Sequence, residues 1–116
     1  MRKVKAKKHL AKNLTKNAVS IPKIEGACES VASILKELSH PQRLLILGHL
    51  LRGPKTVSQL VKSCGTSQSQ MSHFLMRMKY AGLIQSEKAG KFQFYSVADQ
   101  RLIQLMKTIQ NEYCKG

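Results

Sequence analysis

Between Ser67 and Arg77 the chain places Ser67, Gln68, Ser69, Ser72, His73 and Arg77 around an apolar set of Met71, Phe74, Leu75 and Met78. The apolar positions fall at i, i+3, i+4 and i+7, so a helix buries them together and turns the polar set outward. Those polar types suit a nucleic-acid surface: Gln can bond an adenine edge twice, Ser adapts to several base edges, and Arg fits guanine or phosphate. An ordinary solvated helix face carries similar residues, but here they cluster in the N-terminal half, the end that enters a major groove. Other reactive groups are sparse. Cys28, Cys64 and Cys114 are the only thiols, and His9, His40, His49 and His73 have no paired ligand spacing. Six acids, no Gly-rich phosphate loop and no His-carboxylate constellation argue against an enzyme.

The elements that must position these residues follow from periodicity. Ile24 to Leu38 spaces Ala27, Val31, Ile34, Leu35 and Leu38 by three and four, giving a first helix with one buried face. Pro41 opens a second helix to about Leu51, halted at Gly53-Pro54 and apolar nearly all round through Leu44, Leu45, Leu47, Leu50 and Leu51. Thr56 caps a short third helix, Val57 to Ser63, closed by Gly65. Ser67 caps the fourth, and Gly82 ends it. The stretch from Ser39 to Arg52 and the Ser- and Gln-rich helix opening from Thr66 to Ile84 together read as a helix-turn-helix. Leu83–Glu87 and Lys91–Val97 alternate around Lys88-Ala89-Gly90 as a two-stranded hairpin, a wing with Lys88 and Lys91 at its tip. Those two lysines can touch phosphates or the neighbouring minor groove, or they form a basic solvated turn. Gln100 to Tyr113 forms a last helix with Leu102, Ile103, Leu105, Met106, Ile109 and Tyr113 on a broad stripe. The expected class is mainly α with a small β-hairpin: a winged helix-turn-helix of four helices, two strands and a fifth helix.

Size and charge bound the rest. The 116 residues suffice for one domain, and the absence of Trp with 5% aromatics suits helices better than a β-sandwich. No stretch approaches the roughly 18 uncharged apolar residues of a membrane span, and the basic start lacks a signal peptide's apolar run, so a cytoplasmic protein is expected. Of the net charge of +14, Arg2, Lys3, Lys5, Lys7, Lys8, Lys12, Lys16 and Lys23 supply +8 without an acid, and residues 24–116 supply +6. Both parts favour phosphate polyanions. Residues 1–23 read as a basic flexible arm, either a DNA contact or merely solvated; the near absence of Arg fits a mitochondrial presequence poorly. Residues 24–116 read as the DNA-binding and dimerisation domain. The apolar last helix needs a cover, supplied within the subunit or, with the first helix, by a second copy. A two-fold dimer would set two reading heads about 34 Å apart.

LSHPQRLLIL (Leu38–Leu47), SQSQMSHFLMRMKYAGLI (Ser67–Ile84), FQFYSV (Phe92–Val97) and Cys114, in that order, resemble the ArsR/SmtB family of winged helix-turn-helix repressors. The likeness is greatest to its thiol- and sulfur-sensing subgroup of the biofilm-growth and haemolysin-regulator type, and covers about residues 24–116. What the resemblance implies is a homodimer on a double-stranded DNA operator, usually repressing, and released when an inducer binds. It also implies where an inducer would act. The positions of the family's Cys-x-Cys metal site are Thr56 and Ser58, and those of its last-helix site are Asp99, Arg101, Glu112 and Lys115. Zinc prefers imidazole and thiolate and is repelled by two cations, so no metal is expected at either. In the thiol-sensing subgroup one cysteine lies on helix two and its partner matches Cys114, but the helix-two position here is Gly48. Cys28 and Cys114 remain as a redox pair if their Cα atoms come within about 7 Å. Reduced structural thiols, or an arsenite-type site of three thiolates, are the other readings of the cysteines.

The sequence thus assigns base contacts to Gln68, Ser69, Ser72 and His73, and DNA-backbone contacts to Arg43, Ser67, Arg77, Lys88 and Lys91. No cofactor is expected. The alternatives are an architectural protein that coats DNA without reading it, and a constitutive regulator that senses neither thiol chemistry nor metal.

Overall fold

The computed structural model describes residues 18–114. They divide between two compact units, one ending at Ala32 and the other beginning at Ser33. The expected basic arm lies largely outside the described residues, and its boundary at residue 23 falls within a helix, α1 (Ile21–Glu25). Ser20 caps α1 by accepting from the Lys23 amide, and Pro22 sits in the first turn. The single first helix expected from Ile24 to Leu38 is broken: α1 stops at Gly26, whose amide bonds back to Pro22 and Ile24, and α2 runs from Cys28 to Leu38. Glycine is a poor helix interior residue, and its cost lets the chain turn here.

The second unit carries the core. Helices α3 (Pro41–Leu50), α4 (Val57–Cys64) and α5 (Gln68–Tyr80) are followed by strands β1 (Ile84–Ala89) and β2 (Phe92–Val97) and by α6 (Arg101–Tyr113). Ile46, Leu47 and Leu50 of α3 pack with Leu60 of α4, Met71, Phe74, Leu75 and Met78 of α5, Leu83, Ile84 and Leu102. The four α5 residues are those picked out by spacing, and all are buried. His40 caps α3: its Nδ1 accepts from the Gln42 amide at 3.1 Å, and its ring lies 4.9 Å from that of Phe74. Thr56 and Gln59 close a reciprocal capping box on α4, and Gly65 leaves it at φ +68°.

The two strands pair antiparallel with Ile84 opposite Val97 and Ala89 opposite Phe92. The turn is therefore Gly90-Lys91, with Gly90 at φ +66°. It lies further along the chain than the alternation placed it. Lys88 belongs to the strand, opposite Gln93, and only Lys91 stands at the tip. A contact between distant segments completes the wing: Lys55 and Tyr95 exchange backbone hydrogen bonds of 3.0 and 2.8 Å. This bridge ties the start of α4 to β2. Among the described residues no helix is long and apolar enough to cross a membrane.

Candidate nucleic-acid interface

The α5 surface is built by a cap, a buried stripe and a closing turn. Ser67 Oγ accepts from the Gln70 amide at 3.1 Å, which fixes where the helix starts. Its hydroxyl hydrogen remains available to a phosphate oxygen. The stripe from Met71 to Met78 fixes the rotation, so Gln68, Ser69, Ser72, His73 and Arg77 all face solvent. No acid lies in the first turn of α5. Its unpaired amides and positive dipole end are left open to an anion. Gln70 shares the exposed first turns, but its Oε1 accepts from the Thr66 hydroxyl at 2.7 Å.

The basic side chains divide into three situations. Lys91 is exposed at the wing tip, its Nζ 5.7 Å from the centroid of the Phe92 ring, and Lys88 is exposed on β1. Arg77 is exposed but paired: Nε donates to Glu37 Oε1 at 2.8 Å and Nη2 to Oε2 at 3.3 Å. The hydrogen bond to Glu37, and then its charge, raise the Arg77 guanidinium above its ordinary value. Arg43 corrects the sequence expectation. It is 8% exposed, and its Nε donates to the Glu37 carbonyl at 2.6 Å while Nη2 reaches the Lys36 carbonyl at 3.5 Å. Those carbonyls belong to the last turn of α2, where that of Lys36 also accepts from the Ser39 amide and hydroxyl, so Arg43 chiefly serves that of Glu37. Arg43 is thus a buried helix cap and leaves the set of DNA-backbone contacts. Two further residues were not foreseen. Lys79 Nζ donates to Ser86 Oγ at 2.7 Å, holding α5 to β1, and Gln93 Nε2 reaches the same oxygen at 2.8 Å. Neither contact has a local sequence signal, because each depends on how the hairpin folds back.

The cysteines occupy different settings. Cys64 is buried as the last residue of α4, and burial pushes its thiol above the ordinary value, which suits a structural residue. Cys28 is exposed at the first residue of α2, in the first unit, and Cys114 is exposed just beyond α6, in the second. Cys114 lines a groove of about 450 Å³ between α3 and α6, together with Gly48, Leu51, Ile103, Met106 and Ile109. A Cβ at Gly48 would meet nothing within 4 Å. Gly48 and Cys114, the two positions that the family resemblance paired, thus border one cavity, although only one carries sulfur. Among the described residues no three His, Cys, Asp or Glu side chains gather as a metal site. Asp99 is occupied by Arg101, whose Nη2 donates to it at 2.7 Å.

A short helix, a turn and a capped, polar-faced second helix, followed by a two-stranded wing, define a winged helix-turn-helix DNA-binding domain. Residues 40–86 match the family described as bacterial regulatory protein, arsR family. The chain is 35% identical over 95 residues to the HTH-type transcriptional regulator YgaV of Escherichia coli K12, spanning 81% of this chain and 96% of that one. Its fold superposes on the transcriptional repressor BigR from Xylella fastidiosa with a TM-score of 0.80 and 26% identity, covering 84% and 100% of the two chains. It also matches the homodimeric winged helix-turn-helix domain Mb0332 from Mycobacterium bovis with a TM-score of 0.68 and 26% identity, covering 81% and 86%. The chain belongs to the ArsR family of DNA-binding transcriptional regulators, a family of regulators and not of enzymes.

Proposed function

We propose that this regulator is a homodimeric, sequence-specific repressor that reads its operator with the N-terminal half of α5. Gln68, Ser69, Ser72 and His73 contact base edges, and Ser67, Arg77, Lys88 and Lys91 contact the DNA backbone. The observation that carries this reading is the Ser67-capped start of α5, where four adjacent polar side chains stand exposed over an unbroken buried stripe. The names of the relatives support repression. A cytoplasmic location accords with such a regulator.

Dimerisation through the first helices and the last is supported by apolar side chains left open there. Val31 and Leu35 are 44% and 50% exposed one turn apart on α2, and Ile103 and Tyr113 are exposed on α6. Surfaces of that kind are costly in water and mark interfaces. Release by an inducer would act at the exposed Cys28 and Cys114. The glycine at position 48 favours a second reading on this point alone, a regulator that is constitutive or induced by other means.

Replacing Gln68 and Ser72 together by Ala tests the reading of bases. Each good base contact discriminates by about 1–3 kcal/mol, so cognate affinity should fall at least about tenfold while affinity for a scrambled duplex changes little. Equal losses on both duplexes would sink direct readout and favour a protein that coats DNA.

A further inference from the structure

The Glu37 carboxylate occupies a position that the proposed interface leaves unexplained. On a chain with 20 basic and six acidic side chains, one of the few acids is aimed at a guanidinium on the exposed face of the reading helix. It is also held firmly. Glu37 is only 14% exposed at its side chain, against 44% for Arg77, and its backbone carbonyl accepts from the buried Arg43 at 2.6 Å. Arg43 anchors the end of α2, α2 presents the carboxylate, and the carboxylate fixes the one Arg of α5.

We propose that Glu37 is a positioning residue that withholds Arg77 from the phosphates of non-cognate DNA and yields it on the operator. The proposal rests on the reading of α5 as the DNA-facing helix. A guanidinium engaged by a carboxylate releases few counterions when a polyanion approaches, since its charge is already neutralised. Two oxygens at 2.8 and 3.3 Å fill the Nε–Nη2 fork, one of the two through which a phosphate could be held. In a loose non-cognate complex nothing compensates for breaking this pair, and it stays closed. On the operator, base contacts from Gln68 and Ser72 hold α5 against the backbone, and a phosphate can then displace the carboxylate, because an ion pair this close to solvent is a weak lock. Glu37 thereby suppresses sequence-independent affinity without cost to the base contacts.

The test uses the full chain, a labelled duplex from upstream of its own gene, and a labelled duplex of scrambled sequence, each titrated across a range of salt. Glu37→Gln should bind the scrambled duplex about fivefold more tightly at ~0.15 M salt, with a salt slope steeper by about 0.9, the value of one more neutralised phosphate. Glu112→Gln, which changes the net charge equally on the exposed last turn of α6, should leave both nearly unchanged. The double variant Glu37→Gln with Arg77→Gln removes a closed pair, so it should match the parent on scrambled DNA yet bind the upstream duplex more weakly. Several results would overturn the proposal: an unchanged slope for Glu37→Gln, an equal gain from Glu112→Gln, or a double variant that loses affinity for scrambled DNA. A parent chain with no preference for the upstream duplex would instead sink the sequence-specific reading, while the scrambled arm would still decide the role of Glu37.

Discussion

Arg43 and Arg77 carry the same side chain on neighbouring helices, yet they do different work. Arg43 on α3 turns its guanidinium to the end of α2, donating to the Glu37 carbonyl and reaching that of Lys36. Removing it leaves the partly buried Glu37 carbonyl without this donor, a loss of about 1–3 kcal/mol. Arg43→Ala should therefore lower the urea midpoint clearly while leaving the salt slope of DNA binding nearly intact. Wild-type stability combined with a shallower salt slope would return Arg43 to the phosphates. Nothing local in PQRLLIL separates the two roles, because a charged head on an aliphatic stem suits a solvated contact and a buried cap equally. The exposure of Gln68, Ser69, Ser72, His73 and Arg77 was legible, since the spacing of Met71, Phe74, Leu75 and Met78 fixes which way α5 faces. The partners of Arg77 and Lys79 were not, because Glu37 lies 40 residues from Arg77 and Ser86 belongs to a strand whose return is set by tertiary contacts.

The same division holds for whole elements. Helices α3, α4 and α5 start at or beside the residues that cap them, and Gly65 and Gly82 leave α4 and α5 with positive φ. Local chemistry decides such ends, so the helix-turn-helix could be read directly. The first helix could not be placed correctly, because an apolar stripe continues through Gly26 although the backbone does not. In the wing, the alternation of β1 marks a strand but does not fix its turn, and the Lys55–Tyr95 bridge joins segments with no local signal. Asp99 is the reverse case. Its sequence position marks it only as a place where the family holds metal, yet it secures the start of α6: Oδ1 accepts from the Arg101 amide at 3.0 Å, and Oδ2 from its guanidinium. The hydrogen bond from Arg101 holds this carboxyl below its ordinary value. A depressed folded value means that the carboxylate stabilises the fold fully above the unfolded value of about 3.9 and loses this as the pH falls through the folded value. Asp99→Asn should accordingly unfold at lower urea than the parent at pH 7, and the gap should close as the pH drops below about 4. A gap independent of pH would assign the effect to packing.

At the scale of the molecule, a basic chain presents a capped reading helix, a lysine-tipped wing and unfilled apolar faces on its first and last helices. Charge alone would draw it to any nucleic acid. On the proposed reading the polar start of α5 contacts bases, and the Glu37–Arg77 pair reduces charge beside it. These features converge on sequence-specific recognition, which fluorescence anisotropy tests most directly. The full chain is titrated against the duplex upstream of its own gene at ~0.15 M salt with excess unlabelled competitor DNA, where phosphate contacts alone are too weak to persist. Saturable binding that survives competitor is predicted. Binding that competitor abolishes as readily as it does on a scrambled duplex would contradict the account.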